Sequence, residues 1–361
     1  MPSQPRCTQF SCSLLDSLGG PTRVVKESTL HLKEFTEHNL VVFGETDGDI
    51  EAEVFPSLFN NRYGIPRKFF WNNAVGSIKR SDVILIHGFY TFVTLFTLVH
   101  GKRSSKYYLM PHGSLEEYQS VKNKFLKLLF RFVFSILVRE REFTFVVASE
   151  QEKLSIRSNF PNSPIELLGL GIEYLGEPTI RRNGSPTLNL VCVSRIAMKK
   201  RIDLCISAVK LIRDEGIRVE LHILGSGDVQ RTNSLKDLVQ ILDLDQVVHF
   251  HGHMTRNSLK QILPHMHIFL LPSENENFAI AVAEAIADGL PTIVSDKVAM
   301  HTFVEANTTG IVISELNAES LRNAILTVKN NIESYSINAI NSRFQLSWEE
   351  VIKKWVKVLC K

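Results

Sequence analysis

Short apolar runs bounded by turn residues recur through both halves of the 361-residue chain. They are rich in valine, isoleucine, leucine and phenylalanine and alternate little with polar residues, which predicts parallel strands buried on both faces. The predicted strands are 39–44, 82–88, 106–110, 143–149, 188–194, 219–227, 247–252, 267–272, 291–296 and 310–313.

Segments long enough for helices separate these runs, so strand and helix alternate twice along the chain. This order predicts an α/β protein with two doubly wound, Rossmann-like domains facing a cleft. The length agrees, because a single core rarely organises more than about 250 to 300 residues. The predicted helices include 21–36, 122–142, 203–215, 278–289 and 318–330.

The pattern breaks once, where glycines, prolines and a basic pair interrupt it at 168–186. The final stretch reads as an amphipathic helix whose Trp348 and Trp355 need burial, so we expect it to dock near the N-terminal domain. The predicted parts are an N-terminal domain 1–170, a linker 171–186, a C-terminal domain 187–346 and a C-terminal helix 347–361.

The net charge, the cysteine spacing and the lack of long apolar runs exclude several classes of protein. A net charge of +3 is too small for a surface that is basic throughout, so we expect no nucleic-acid partner. Five scattered cysteines without a Cys-x-x-Cys pair favour a reducing cytoplasm. No stretch of about 18 apolar residues and no signal-peptide pattern occurs, so we expect a cytoplasmic protein that does not span a membrane.

Ligands of open α/β sheets bind beyond the carboxyl ends of the strands. Arg195 and Lys200 follow the predicted strand 188–194, and two cations there could hold a diphosphate, or could form a solvated basic loop. Gly225 and Gly227 follow the next strand and would let backbone approach a ligand. They lack the third glycine of a dinucleotide fingerprint, so a plain tight turn is the alternative.

Glu276 and Glu284 lie eight positions apart. Glu276 falls at or before the start of a predicted helix, Glu284 lies inside it, and Gly289 should end it. On a regular helix that spacing is ~80° and ~12 Å, too far for a catalytic pair. We interpret them as residues that bind two separate parts of one extended ligand. The backbone N–H groups of 277–279 would form an anion site between them. The alternatives are helix capping by Glu276 and a paired or exposed Glu284.

The N-terminal half offers two further candidates. Gly19 and Gly20 lie between a predicted strand and a helix that begins near Pro21, where a ligand could approach closely. His112 follows another strand within Pro-His-Gly, so its imidazole could project into the same cleft. A purely structural histidine is the alternative.

His249, His251 and His253 alternate along a predicted strand, with His265 and His267 after it. A metal site also needs convergent geometry and usually a carboxylate or thiolate, and none is spaced for it here. We expect no metal.

The predicted helix 122–142 aligns Lys124, Lys127, Arg131 and Ser135 on one narrow stripe among apolar residues. Such a helix either packs in a core or lies on an anionic bilayer.

Several of these segments together resemble glycosyltransferase family 4, retaining enzymes of the GT-B fold. "VSRIAMKKRIDLCISAVKLI" resembles its Arg-x4-Lys segment, "LHILGSGD" its Gly-x-Gly turn, and "ENFAIAVAEAIADGLPTIVSD" its Glu-x7-Glu motif followed by Ala-x-Gly-x-Pro. The N-terminal "GGPTRVV", "DVILIHG" and "MPHGSL" resemble the subgroup that builds bacterial surface polysaccharides.

The resemblance implies a role for each candidate. Arg195 and Lys200 would bind the diphosphate of a nucleotide-sugar, Glu284 the ribose, and Glu276 the donor sugar. No metal or other cofactor is implied. The remaining donor-side positions would be Gly19, Gly20, Gly225, Gly227, Asn277, Phe278 and Ala279, with His112 closing the site from the acceptor domain.

Two positions depart from the family. Arg201 and Ala279 stand where the family commonly has glycine. Arg201 would crowd the loop or add a phosphate contact, and Ala279 should tolerate a helical start but not a positive φ angle.

The implied function is a hexosyltransferase-type retaining glycosyltransferase that moves a sugar from a nucleotide-diphospho-sugar to a lipid-linked or saccharide acceptor. It would act in bacterial surface-polysaccharide biosynthesis, in the cytoplasm or peripherally on the inner face of the plasma membrane. The alternatives are a nucleotide-sugar epimerase of the same fold and an inactive nucleotide-sugar-binding module.

Overall fold

The computed structural model describes residues 5–15, 19–47, 50–57, 65, 67–115 and 124–360. The chain divides into two compact units. The first unit comprises the described residues up to Gly171 together with those from Trp348, and the second is Ile172–Ser347.

The first unit is built on a parallel sheet of seven strands among the described residues, in the order β3-β2-β1-β4-β5-β6-β7. Its strands are β1 Arg6–Ser11, β2 Glu37–Val42, β3 Glu53–Val54, β4 Val83–His87, β5 Lys106–Met110, β6 Glu142–Val147 and β7 Ile165–Leu167. Its helices are α1 Gly20–Leu32, α2 Trp71–Arg80, α3 Phe92–His100, α4 Lys124–Val138, α5 Glu150–Asn159 and, at the end of the chain, α13 Trp348–Leu359.

The second unit has a six-stranded parallel sheet in the order β10-β9-β8-β11-β12-β13. Its strands are β8 Leu188–Val193, β9 Val219–Leu224, β10 Val248–Gly252, β11 Ile268–Leu271, β12 Thr292–Ser295 and β13 Gly310–Ile313. Its helices are α6 Ile202–Asp214, α7 Val229–Ile241, α8 Arg256–Ile262, α9 Ile280–Ala287, α10 His301–Ala306, α11 Ala318–Asn330 and α12 Ile332–Ser342.

The prediction of two doubly wound α/β domains is confirmed. Each predicted strand is present, with ends within three residues of the prediction, and the named helices lie within four. Residues 122 and 123 of the predicted helix 122–142, and Lys361 of 347–361, lie outside the described residues. The sequence pattern missed the short β3 and β7, which have two and three residues.

Strand order fixes where ligands should bind in each unit. The order reverses at β1, which lies between β2 and β4, and again at β8, which lies between β9 and β11. At such a switch point the loops beyond the carboxyl ends of neighbouring strands diverge to opposite faces and leave a crevice. The loops after β1, β4 and β5 and after β8, β9 and β11 are therefore the places to look.

The C-terminal helix α13 belongs to the first unit. The Trp348 indole donates a hydrogen bond to the Glu27 carboxylate (2.6 Å) and stacks on His31 with ring centroids 5.6 Å apart. Trp355 donates to the carbonyl of Gly169 (3.2 Å). Both tryptophans are buried, as their apolar area requires.

The stretch 171–186, predicted as a linker, is anchored to the second unit from residue 172 onward. Arg181 is 3% exposed, and its guanidinium donates to the Asp288 carboxylate at 2.7 Å. It also donates to the carbonyls of Met266 (2.9 Å) and Leu263 (3.0 Å). A buried guanidinium with this many partners holds the stretch against the body of the second unit.

Candidate active site

Two loops at the switch point of the second unit are joined by their backbones. Arg195 lies two residues beyond β8 and is exposed. The next residue, Ile196, donates its N–H to the carbonyl of Ser226 in the loop after β9 (2.9 Å). Arg195 therefore lies on a loop that the backbone hydrogen bond of Ile196 holds in place.

The glycines after β9 make this joining possible. A Cβ on Gly225 would lie 1.9 Å from the carbonyl oxygen of Ser194, and one on Gly227 would lie 2.1 Å from that of Ile196. A side chain at either position would push the two loops apart. The spacing Gly-x-Gly thus serves a close approach between two protein loops, which the sequence interpretation in terms of a ligand or a plain turn did not foresee.

Lys200 and Glu276 are in direct contact. The Lys200 ammonium binds Oε1 of Glu276, and the Lys199 ammonium lies 4.0 Å from the same oxygen. The side chains of Lys200 and Glu276 are 12% and 13% exposed. Burial lowers the pKa of Lys200 below its ordinary value, although Glu276 acts to raise it, and Lys199 and Arg195 lower it further.

The local charge is positive. Arg195, Lys199 and Lys200 together carry three positive charges against the single negative charge of Glu276, which leaves two. A partly desolvated surplus of positive charge at the carboxyl end of a parallel sheet suits a polyanion such as a diphosphate.

Backbone hydrogen bonds fix the loop that carries Glu276. Its N–H donates to the carbonyl of Lys297 (3.1 Å), and its own carbonyl accepts from Ala299 (3.0 Å). Glu274 N–H donates to the carbonyl of Lys199 (2.7 Å), which ties this loop to the lysine-bearing turn. The contact between Lys200 and Glu276 is thus built on two mutually supporting loops.

Glu276 does not lie on the helix but precedes it, in agreement with the predicted helix bounds 278–289. Helix α9 begins at Ile280, so the helical estimate of the offset between Glu276 and Glu284 does not apply. The capping alternative is also wrong, because the N-cap position is Ala279. The predicted end of the helix is confirmed: Gly289 follows it with a φ angle of 81°.

Ala279 has φ 68° and ψ 65°, so the expectation that it would avoid a positive φ is wrong. Arg201 is also left-handed, with φ 50° and ψ 41°. A left-handed non-glycine residue typically costs about 1 to 2 kcal/mol. The Arg201 guanidinium bonds Asp203 (3.1 Å) and Glu274 (3.3 Å), so its side chain braces the loop.

Glu284 lies inside α9 and is 7% exposed, so the alternative of an exposed helix face is wrong. Asn277 and Phe278 occupy the half-buried loop between Glu276 and the helix. Phe278 packs against the apolar cluster beneath α9.

In the first unit, His112 follows β5 with a positive φ of 54°. Its ring stacks on His87 of β4, with centroids 5.2 Å apart, and its Nε2 lies 2.9 Å from His87 Nδ1. The next residue, Gly113, donates its N–H to the buried carboxylate of Glu152 (2.7 Å). The histidine is therefore held from both sides.

A chain of hydrogen bonds continues from His112 through the sheet. His87 Nε2 lies 2.6 Å from Gln9 Oε1, and Gln9 Nε2 lies 3.2 Å from His38 Nε2. His38 Nδ1 is 3.4 Å from the hydroxyl of Thr36. We call the residues His112, His87, Gln9, His38 and Thr36 the polar relay.

Burial keeps the histidines of the polar relay neutral at pH 7. It lowers the pKa of His112 and of His38 to about 4, with Lys33 adding to the effect on His38. Burial also lowers the pKa of His87 well below its ordinary value, with further lowering by His112 and His38.

Neutral rings fix the direction of the bonds. The amide oxygen of Gln9 can only accept, so His87 carries its proton on Nε2 and accepts at Nδ1 from His112 Nε2–H. The Nδ1 of His112 is then left as an acceptor. Sequence reasoning missed this arrangement, because its members lie on three different strands, in the loop after a fourth strand, and just before β2.

Gly19 and Gly20 open helix α1, and the predicted start near Pro21 is confirmed. Gly19 has φ 82°, and a Cβ added there would meet nothing within 4 Å among the residues that the structure describes. The glycine is needed for its backbone conformation.

Helix α4 exposes an apolar face. Phe134 is buried, whereas six large apolar side chains are 49% to 77% exposed. Arg131 donates to the Tyr90 hydroxyl (2.6 Å), and Lys127 lies over the Tyr90 ring (5.1 Å). The exposed side chains, called the α4 face below, are Phe125, Leu126, Leu128, Leu129, Phe132 and Ile136.

Known proteins resemble this chain. Residues 181–343 match the model of the family described as glycosyl transferases group 1. The putative colanic acid biosynthesis glycosyltransferase WcaL of Salmonella typhimurium is 26% identical over 163 residues, which cover 44% of this chain and 39% of the relative. The amylovoran biosynthesis glycosyltransferase AmsK of Erwinia amylovora is 30% identical over 145 residues, covering 38% of this chain and 35% of the relative.

The sequence similarity spans well under half of these two relatives. The structural likeness is broader. The crystal structure of Anabaena HepE in complex with UDP matches with a TM-score of 0.77 at 13% identity, over 98% of this chain and 99% of that one. The GT-B fold predicted from the sequence is confirmed. Among the helices of the described residues, none combines the length and apolarity needed to cross a bilayer.

Proposed function

We propose that the chain is a retaining glycosyltransferase acting in bacterial polysaccharide biosynthesis, a proposal supported by the match of residues 181–343 to the glycosyl transferases group 1 model. It transfers a sugar from a nucleoside diphosphate sugar to a lipid-linked or saccharide acceptor. The observation that carries the proposal is the buried contact between Lys200 and Glu276 within a positive surplus at the switch point of the second unit.

In the proposed reaction the bond between the anomeric carbon and the diphosphate breaks, and negative charge develops on the leaving phosphate. Arg195 and Lys200 stabilise that charge from loops that are already fixed, so little reorganisation is needed. The acceptor hydroxyl forms the new bond from the face that the diphosphate leaves, and its proton passes to a phosphate oxygen. The products are the glycoside and the nucleoside diphosphate.

The two carboxylates take different parts of the donor. Glu284 binds the ribose hydroxyls from inside α9, and Glu276 binds hydroxyls of the sugar while Lys200 holds it in place. A carboxylate that accepts from hydroxyls adds about 1.5 to 3 kcal/mol per bond. Gly225, Gly227 and the loop 277–279 bring backbone close to the diphosphate in this account.

The first unit contributes neutral groups. His112, with its acceptor Nδ1, hydrogen bonds a hydroxyl of the acceptor in the first unit. A neutral imidazole orients a hydroxyl without adding a charge.

The test is a panel of nucleoside diphosphate sugars incubated with purified protein, with and without saccharide acceptors. We expect transfer or slow donor hydrolysis, reduced at least about a hundredfold in Arg195→Ala, Lys200→Ala and Glu284→Ala. The matched control is Lys210→Ala, because Lys210 pairs with Asp214 on the far end of α6 and should leave turnover intact. Full activity in all three site variants would overturn the proposal.

Product analysis separates the alternatives. An epimerase would convert the donor without acceptor and release no free nucleotide in the steady state. An inactive binding module would bind nucleoside diphosphate yet turn over no donor. Either result contradicts transferase activity.

We further propose that the α4 face lies on an anionic membrane, at the cytoplasmic side of the plasma membrane where a lipid-linked acceptor would be met. Helix α4 carries Lys124, Lys127 and Arg131 and no acidic residue, so its charge complements anionic headgroups while its exposed apolar side chains enter the interface. Each cation near such a surface contributes about 1 kcal/mol.

Sedimentation with vesicles tests this. We expect binding to anionic but not zwitterionic vesicles, weakened by salt and by Lys124→Glu combined with Lys127→Glu. Leu154→Ser is the control, since Leu154 is equally apolar and 69% exposed but lies on α5. Absent or salt-independent binding would contradict the proposal.

A further inference from the structure

The two outermost strands on one side of the second sheet bring together side chains that bind metals. Strand β10 is the edge strand and pairs in parallel with β9, with His249 directly opposite His222. Glu220 lies two positions before His222 and so points to the same face. Phe250 packs on the opposite face, against the apolar core.

The ligand atoms of Glu220, His222 and His249 converge. Glu220 Oε2 lies 3.2 Å from His249 Nε2 and 3.7 Å from His222 Nε2, and the three ligand atoms all fall within 4.8 Å of one another. Ligands bound at ~2.0 Å to a tetrahedral ion stand about 3.3 Å apart. The two distances from Glu220 Oε2 are close to that value.

His251 positions one of the imidazoles. Its Nε2 lies 3.1 Å from Nδ1 of His222, the kind of outer hydrogen bond that orients a metal-binding histidine and fixes its tautomer. The Nε2 of His222 is a buried atom that makes no hydrogen bond within the described part of the chain.

Donor type selects the ion. Ca²⁺ and Mg²⁺ prefer shells of oxygen ligands, whereas two imidazoles and one carboxylate suit Zn²⁺ and neighbouring late first-row ions. The Glu220 and His249 side chains are 39% and 36% exposed, so an ion can enter from solvent and keep a water as fourth ligand. In the sequence no carboxylate is spaced to bind a metal together with His249. In the fold, Glu220 of the neighbouring strand β9 lies beside it.

We propose that Glu220, His222 and His249 form a binding site for a late first-row divalent cation such as Zn²⁺, with His251 as a positioning residue. The site clips the edge strand β10 to β9. The carbonyl of Gly252, at the end of β10, accepts from the N–H of Gly225 (2.7 Å), so the clip also supports the glycine loop beside Arg195. The site is separate from the sugar-transfer chemistry proposed above.

Calorimetric titration of chelator-treated protein with Zn²⁺ tests the proposal. We expect one ion per chain, with affinity lowered at least about a hundredfold in His222→Gln, His249→Gln and Glu220→Gln, and about tenfold in His251→Gln. His253→Gln and His265→Gln are the matched controls, because both histidines are exposed in the same unit but outside the cluster. Circular dichroism checks that each variant is folded.

A spectroscopic measurement on the unaltered chain covers the case in which a variant fails to fold. X-ray absorption of the Zn²⁺-loaded protein should show two imidazole nitrogens and oxygen ligands in the shell. No stoichiometric Zn²⁺ binding, or an equal loss of affinity in the His253 or His265 control, would overturn the proposal, as would an all-oxygen shell.

Discussion

The two units place polar groups at equivalent points of similar sheets, but by opposite means. The second unit gathers charges, with Lys199, Lys200 and Glu276 in contact on loops beyond β8 and β11. In the first unit, hydrogen bonds connect uncharged side chains across neighbouring strands, from His112 after β5 to Gln9 of β1. One arrangement suits holding a polyanion, and the other suits orienting hydroxyls without adding charge.

The means of support differ as well. The charged loops of the second unit are held by backbone hydrogen bonds and by glycines that permit close approach. The members of the polar relay are held in place by their burial and by the hydrogen bonds between successive side chains. Losing one charge in the second unit should therefore impair function, whereas changing one relay member should first impair stability.

A large expected effect separates the two carboxylates of the second unit. Glu276→Gln should lower turnover by roughly 10- to 100-fold and leave nucleoside diphosphate affinity nearly unchanged, because it removes a contact with the sugar. Glu284→Gln should weaken nucleoside diphosphate binding by a similar factor. Steady-state kinetics and calorimetry measure both.

Glu319→Gln is the control for that pair, since Glu319 is exposed in the first turn of α11. If Glu276→Gln and Glu284→Gln lower turnover and nucleoside diphosphate affinity by the same factors, the two carboxylates do not bind different parts of the donor.

The next effect is on the acid stability of the first unit. The folded-state pKa of His38 is about 4 against 6.5 for the ordinary group, so the unfolded chain binds more protons between these values. The stability is fully present above about pH 6.5 and is lost as the pH falls through about 4. At pH 4.5 His38 alone should remove roughly 2 to 3 kcal/mol of unfolding free energy.

Tryptophan fluorescence reports on this unit alone, because Trp71, Trp348 and Trp355 all lie in it. Urea unfolding at pH 7 and pH 4.5 should show a smaller loss for His38→Asn than for the unaltered chain. His265→Asn, in the second unit, should not change the difference. An equal pH dependence in His38→Asn and the unaltered chain would refute the role assigned to burial of the polar relay.

The smallest expected effect concerns the left-handed residues of the second unit. Ala279→Gly should raise the unfolding free energy by up to ~1 kcal/mol, because glycine relieves the positive φ while losing some backbone entropy. Arg201→Gly should gain less, since it also loses the bonds to Asp203 and Glu274. Thermal unfolding followed by circular dichroism measures both.

Ala283→Gly is the internal comparison, because Ala283 lies within the same helix α9 and the change there should destabilise by about 1 kcal/mol. If both alanine substitutions lower stability, the backbone at Ala279 is not strained.

The sheets were predictable because strands buried on both faces leave continuous apolar runs. Strands such as β8 and β11 are long enough to form a recognisable apolar run, whereas the two-residue β3 is not. Charges that follow a strand were also visible, which is why Arg195 and Lys200 could be named as candidates from their position, with a solvated basic loop as the alternative.

Features that depend on tertiary contact were not predictable. The loop 274–276 precedes the predicted helix, but its hydrogen bonds to Lys199, Lys297 and Ala299 join segments distant in sequence and could not be foreseen. The polar relay and the approach of Glu220 to His249 join different strands, so no local spacing marks them.

The central claim is that the cations of the second unit hold the diphosphate. Calorimetric titration with a panel of nucleoside diphosphates tests it most directly, comparing the unaltered chain, Lys200→Ala and Lys153→Ala, an exposed cation of the first unit paired with Glu150. We predict one binding site, weakened roughly 30- to 100-fold in Lys200→Ala and unchanged in Lys153→Ala. Equal affinity in Lys200→Ala and the unaltered chain would contradict the account.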